Sequence, residues 1–255
     1  MQARPPQASA ATLWPLATSN SGGKAMPINC KIVALTHLNT KTLRVVLKAE
    51  QAFTFLAGQY VMVEFGDGDK LPFSIACAPT ENNLFEIHLG GISPQSKLAE
   101  QASWLRQCFE QGESINIDVA AGHAWLRPPT ESTVLIAGGS GYTYTRSLLL
   151  AILKHSPSCN VSLYWGAFSE EDLYEHHYLM ELTKKHAGFR YIPIVEVASG
   201  LSPFRQGRLM DIVEQECDFM SLPTTYICGR YEMVQTAFAT LKSKHQALCI
   251  YSDAL

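Results

Sequence analysis

Three short stretches carry residue types able to hold and align a redox heterocycle and its phosphates. In Lys70-Leu71-Pro72-Phe73-Ser74-Ile75-Ala76, Pro72 fixes φ and offers no N–H, which suits a strand start or a sheet edge. Phe73 and Ser74 then face opposite sides of the strand. A hydroxyl beside an aromatic surface can hydrogen-bond a ring nitrogen while the aromatic packs on the heterocycle. The alternative is a plain core Phe73 and a satisfied edge hydroxyl. In Ala137-Gly138-Gly139-Ser140-Gly141-Tyr142, glycines sit between a continuously apolar strand and a helix. There the backbone can approach a phosphate closely, and the following helix start offers free N–H groups and partial positive charge. The spacing is neither G-x-G-x-x-G nor a P-loop, and a tight structural turn is the competing reading. In Thr225-Tyr226-Ile227-Cys228-Gly229-Arg230, a strand ends at the same carboxyl edge. Cys228 needs a base or a positive field to become a nucleophile. No Cys/His pairing is visible, so a buried or cofactor-facing thiol is the expectation. Arg230 suits a phosphate or ribose contact and a loop cap equally.

Weaker candidates have simpler explanations. His88 alternates within an apolar strand, the pattern of a hydrogen-bonded structural histidine. Glu170, Glu171 and Asp172 suit the start of a helix, where acids complement the dipole. Trp125 reads as packing, and Gly58-Gln59-Tyr60 as a turn entering a strand. His176 and His177 adjoin, but on a helix they diverge by about 100° and make a poor metal pair. The seven cysteines form no C-x-x-C pair, so no metal site or dithiol motif is expected.

Two kinds of element must position these groups. From Ile28 onward the chain reads as short strands at 31–35, 42–47, 59–65, 73–76 and 85–89, a helix at 96–108, and a strand at 114–119. Gly and Asp punctuate them, the pattern of a sandwich or barrel. After Arg127-Pro128-Pro129 the pattern alternates: strands at 133–137, 161–165, 191–195, 225–228 and 248–251, with helices at 144–154, 173–185, 208–216 and 233–244. That alternation implies a parallel sheet with crossover helices. The expected division is a leader at 1–25, an antiparallel β-barrel domain at 26–128 and an α/β domain at 129–255. The leader is rich in Ala, Ser, Pro and Gly, lacks acids, and has no apolar signal core. It reads as a disordered leader or an expression remnant, with Met26 a natural start.

Composition narrows the function. The 255 residues are 47% hydrophobic and 17% charged with a net charge of −3, so a core is present and nucleic acid is a poor partner. No run approaches the roughly 18 apolar residues of a membrane helix. Scattered, unpaired cysteines suit a reducing compartment, the cytoplasm.

In order, G-Q-Y, P-F-S, G-G-S-G-Y and C-G-R-Y-E-M resemble the ferredoxin–NADP⁺ reductase superfamily. Within it the chain resembles the bacterial NAD(P)H:flavin oxidoreductases, the general and bioluminescence-associated flavin reductases. The matching stretches are AGQYVMV (57–63), DKLPFSIA (69–76), EIHLGG (86–91), GHAWLR (122–127), LIAGGSGYTYTRSLL (135–149), YWG (164–166), CGRYEM (228–233) and YSDA (251–254). The resemblance implies a flavin-binding barrel and a nicotinamide-binding α/β domain. It implies direct hydride transfer from NADH or NADPH to FMN, riboflavin or FAD, with the flavin a dissociable substrate. Pro72, Phe73 and Ser74 would line the isoalloxazine, with Ser74 near N5. Gly138, Gly139, Ser140, Gly141 and Tyr142 would receive the dinucleotide. Cys228, Gly229 and Arg230 would border the nicotinamide and its ribose or phosphates, and His88 joins the cofactor-binding candidates. Ser74 and Cys228 are the catalytic candidates.

Reduced flavin would pass to a consumer such as a luciferase, a monooxygenase or ferric iron. Two departures modify these expectations. Leu71 stands where the superfamily usually has an arginine for the flavin phosphate, which favours loose flavin binding. The chain stops at Ser252-Asp253-Ala254-Leu255 where relatives run on with aromatics, so a terminal aromatic cover of the flavin is expected to be missing. No iron–sulfur cysteine cluster follows. The alternative is a reductase with bound FAD that passes electrons to a protein partner.

Overall fold

The computed structural model describes residues 27–128, 131–198 and 203–255; the leader and Met26 lie outside the described residues. In β1 (Ile28–Asn39) and β2 (Thr42–Ala49), alternate residues turn inward: Ile28, Cys30 and Ile32, then Leu43, Val45, Leu47 and Ala49. β3 (Tyr60–Glu64), β4 (Lys70–Ser74), β5 (Leu84–Gly90) and β6 (Ser114–Ile117) complete an antiparallel sheet in the order β4-β3-β6-β1-β2-β5. Its edges meet where Ile75 bridges Ile87 and the Ala76 N–H donates to Glu86 O at 2.7 Å. This closure makes the expected barrel. Pro72 sits on the edge strand β4, where a missing donor costs no ladder bond with a further strand. α1 (Lys97–Gln111) is capped by the Ser96 side chain and by left-handed Gly112, and it adds Ala102, Leu105 and Cys108 to the barrel core.

The second half is a parallel sheet in the order β10-β9-β8-β7-β11-β12. Its strands are β7 (Ser132–Gly138), β8 (Asn160–Ala167), β9 (Phe189–Val195), β10 (Arg205–Gln206), β11 (Thr224–Cys228) and β12 (Ile250–Tyr251). The connecting helices are α2 (Tyr142–His155), α3 (His176–Lys185), α4 (Leu209–Glu216) and α5 (Tyr231–Lys244). The chain runs from β7 outward through β8 and β9 to β10, then returns to β11 on the other side of β7. A crevice therefore opens at the carboxyl ends of β7 and β11, the switch point where ligands bind in such sheets.

Several boundaries differ from expectation, and three of them have a visible cause. The run 170–172 does not open a helix: it forms a separate 3₁₀ turn in which Ser169 and Asp172 cap each other reciprocally. Leu173 then leaves helical geometry, so α3 starts at His176. The strand around Phe73 starts at Lys70, because β3 pairs along it from Glu64↔Lys70 to Tyr60↔Ser74. The final strand shrinks to Ile250–Tyr251, the two residues β11 pairs with.

Candidate functional site

A cleft with about 310 Å³ of internal space runs between the two sheets. One wall comes from the barrel: Leu71, Pro72, Phe73 and Ser74 of β4, His88 and Gly90 of β5, and Leu98 of α1. The other is Ser140, Gly141 and Thr143 of the Gly-rich turn, with Cys228 and Gly229 at the end of β11. Two of the three sequence stretches thus form opposing walls, and the third completes the floor of the nucleotide-side wall.

The barrel wall is apolar apart from one hydroxyl and one imidazole. Phe73 is buried in the barrel core against Phe65, with ring centroids 6.1 Å apart, and also lines the cleft. Ser74, half-buried, closes β4 opposite Tyr60. His88 lines the cleft, but both ring nitrogens are engaged within the protein. Nε2 lies 3.0 Å from Glu86 Oε1 and Nδ1 lies 3.2 Å from the Tyr174 hydroxyl. Burial pushes the Glu86 carboxyl up, yet its His88 hydrogen bond and the Arg146 and Arg44 charges outweigh this and lower it to about 2. An ionised carboxylate only accepts, so His88 Nε2 carries the proton. His88 therefore presents its ring to the cleft with both nitrogens already bonded within the protein.

Close packing shapes the nucleotide wall. A Cβ on Gly141 would stand 2.4 Å from Cys228 O, and one on Gly138 would stand 2.7 Å from Met233 Sδ. Only glycine lets the turn sit this close to the end of β11, and the end of β7 this close to the Met233 side chain of α5. Gly139 adopts φ +54°, with open space where a Cβ would be. The turn is braced from behind: Trp165 Nε1 donates to Gly139 O at 3.0 Å, and Thr143 Oγ1 to Ser140 O at 2.8 Å. Among the described residues no side chain caps the start of α2. The Tyr142 N–H is taken up by Gly139 O, so it is the backbone of the Gly139–Gly141 turn leading into the helix that suits a pyrophosphate.

Gly141→Ala is expected to destabilise the protein by about 2 kcal/mol through this backbone clash and to weaken nicotinamide binding. A urea titration with fluorescence-monitored NADH binding checks both. Unchanged stability would show that the turn can shift away from β11.

The remaining candidates stand elsewhere. Gly138 and the exposed Gly139 are not among the cleft-lining residues, and Arg230 is exposed at the start of α5, also outside the lining. Tyr142 does not face the cleft: it is fully buried, its ring stacks on Trp165 at 3.8 Å, and its hydroxyl donates to Glu175 at 2.6 Å. Tyr142 is a support for the turn, not a direct ligand contact. Burial pushes the Cys228 thiol up to about 12, so it is a neutral thiol and not a nucleophile at neutral pH. Trp125 lies under the Arg127 guanidinium, 3.4 Å from ring centroid to Cζ. Among the described residues no His, Cys, Asp and Glu cluster could hold a metal, and no helix is long and apolar enough to cross a membrane.

Sequence reading missed a buried ionic group behind the cleft: Glu86, Arg146 and Glu175. Arg146 lies 2.9 Å from Glu86 and 2.6 Å from Glu175, and Glu86 also pairs with Arg44 at 2.6 Å. The available signal was a charged residue inside the apolar helix Tyr142–His155, opposite an acid on the polar face of β5.

A barrel with an apolar slot facing a nucleotide-type switch point defines a two-domain, nicotinamide-dependent oxidoreductase. Residues 135–238 match the oxidoreductase NAD-binding domain family. The fold matches that of a ferredoxin NADP⁺ reductase from Neisseria gonorrhoeae, with a TM-score of 0.66 and 22% identity over 87% of this chain and 92% of that one. The chain is 34% identical to an NAD(P)H-flavin reductase of Aliivibrio fischeri over 87% of its own length and 94% of the relative. It is 35% identical to a probable flavin reductase of Photobacterium leiognathi over 90% and 98%. The chain belongs to the NAD(P)H-flavin reductases.

Proposed function

We infer that this chain reduces free flavin with NADH or NADPH by direct hydride transfer across the cleft. The observation that carries this reading is the cleft itself, which sets the Pro72-Phe73-Ser74 edge of the barrel against the Ser140-Gly141 turn and Cys228. The flavin (FMN, riboflavin or FAD) supplies the hydride acceptor at N5 and the nicotinamide supplies the donor at C4. The protein's task is alignment and exclusion of water. Pro72 and Phe73 give the ring an apolar wall. The Ser74 hydroxyl both donates and accepts, so it can donate to a ring nitrogen before transfer and accept from the new N–H afterwards. Ser140 and Gly141 present backbone to the dinucleotide phosphates, with Gly138 and Gly139 leading the chain from β7 into the turn. Cys228, a neutral thiol, and Gly229 form an uncharged wall for the nicotinamide, and Arg230, just beyond, is placed for its ribose or phosphates.

On this reading residues 26–128 form the flavin domain and 129–255 the nicotinamide domain. The reduced flavin leaves for a consumer in the cytoplasm: a luciferase, a monooxygenase or ferric iron. Leu71 beside the slot supports release over retention, because it offers no charge to a flavin phosphate.

The test is NADH and NADPH oxidation by protein washed free of chromophore, with and without added FMN, FAD or riboflavin. At least tenfold stimulation by free flavin is expected. Retention of a yellow chromophore, with oxidation indifferent to added flavin, would favour a bound-FAD reductase serving a protein partner.

A further inference from the structure

We propose that the buried face of α2 is the spacer that sets the hydride-transfer distance, with Arg146 as its positioning residue; this rests on the flavin reductase reading above. The two cleft walls belong to different sheets, and among the described residues no strand pairing joins those sheets. α2 joins them instead. Its amino end continues directly from the Ser140-Gly141 turn. Its next turn is bonded to the barrel backbone immediately beyond Ser74. Arg146 Nη1 donates to Ala76 O at 2.6 Å and Ser147 Oγ donates to Cys77 O at 2.7 Å. Ser147 Oγ also accepts from the Gly58 N–H at 3.2 Å, and Tyr144 Oη donates to Ala124 O at 2.6 Å. About one helical turn thus separates the bonds that fix the flavin-side strand from the turn that receives the nucleotide.

The Arg146 guanidinium ties both walls to one plane. Toward the barrel it meets Glu86, which holds His88 in the cleft wall. Toward the nucleotide side it meets Glu175 through Nε and Nη2 at 2.6 and 3.2 Å. Glu175 in turn holds the Tyr142 hydroxyl, and Tyr142 stacks on the Trp165 that braces Gly139. A planar fork can satisfy two carboxylates and a carbonyl in fixed directions; an ammonium cannot. Hydride transfer needs reacting atoms held about 3–3.5 Å apart, and a misplacement near 1 Å costs about a hundredfold in rate. The group therefore matters through geometry, since none of its charged atoms is needed to touch either substrate.

Two variants test this in the full chain. Arg146→Lys keeps the charge and loses the fork. Ser147→Ala loses the two Ser147 bonds between α2 and the barrel without disturbing a buried charge. Rapid mixing of NADH, FMN and enzyme gives the transfer rate. The long-wavelength charge-transfer absorbance reports stacking of the two rings. In each variant the rate is expected to fall about tenfold or more, with both KM values within about twofold of wild type and the absorbance weakened. A purely structural role would lower the melting temperature but leave the rate per folded molecule and the absorbance unchanged, and that result would overturn the proposal. If Arg146→Lys does not fold, Ser147→Ala decides alone by the same two readouts. The wild-type control separates the two readings. A wild-type protein inert with every flavin sinks the function, whereas an active wild type with an equally fast Ser147→Ala sinks only the spacer.

Discussion

Replacing Ser74 with alanine is expected to lower kcat for NADH-driven flavin reduction about a hundredfold, with the KM for NADH near its wild-type value. The size follows from losing one preorganised hydrogen bond to the atom whose charge and protonation change in the transition state. Such a loss appears in kcat and kcat/KM together, while loss of uniform binding would appear in KM. Ser74 is well placed for that role. The bridge from Ile75 to Ile87 and the pairing of Ser74 with Tyr60 fix the backbone on both sides of it. Because Ser74 is only half-buried, its hydroxyl contributes little to the fold, and the melting temperature should stay within a degree or two of wild type. Single-turnover absorbance at the flavin band reads the transfer step directly. A Ser74→Ala protein with wild-type single-turnover rates would remove Ser74 from the reaction and leave Phe73 and Pro72 as a purely steric wall.

The parts of this site that could be read in the sequence are those set by local backbone chemistry. Pro72 on an edge strand, Gly141 in a strand-to-helix turn and Cys228 at a strand end are dictated by short-range rules of φ, hydrogen-bond donors and periodicity. The parallel and antiparallel halves followed from alternation against interleaved helices. What could not be read depends on one sheet burying the other's polar face. In β5, Phe85, Ile87 and Leu89 point into the barrel, and the intervening Glu86 and His88 belong by pattern to a solvent face. They are buried because Tyr174 packs on His88 and Arg146 of α2 meets Glu86, and the ionised Glu86 is tolerable there because that arginine arrives from sixty residues further along the chain. Tyr142 misled for the same reason. Its place beside the glycines suggested ligand contact, but Trp165 on the adjacent strand takes up its ring. The capping pair of Ser169 and Asp172 was local and legible in principle: an S-x-x-D box that ends its own short turn before the helix begins.

Introducing an arginine at Leu71 is expected to tighten FMN and FAD by tenfold to about a hundredfold and to leave riboflavin nearly unchanged. Leu71 is half-buried on β4, pairs with Val63 and lines the cleft one residue before Pro72. A side chain from this position reaches along the slot toward the region a flavin side chain would occupy. One or two charge-assisted bonds to a phosphate contribute about 1.5–3 kcal/mol, which is the stated range in Kd. Competing carboxylates are already committed: Asp69 is held by Lys97, and Asp118 by Lys70 at 2.7 Å. The gain should shrink with added salt, since the cleft mouth is open to solvent and the interaction is screened. Isothermal titration with FMN and riboflavin at low and high salt measures it. Equal tightening of both flavins would mean that the longer side chain works by packing on the ring, and loose binding would then have to come from the slot itself. Selective tightening of FMN, accompanied by a lower kcat as flavin release slows, would identify the single leucine as a determinant of how firmly this enzyme holds its flavin.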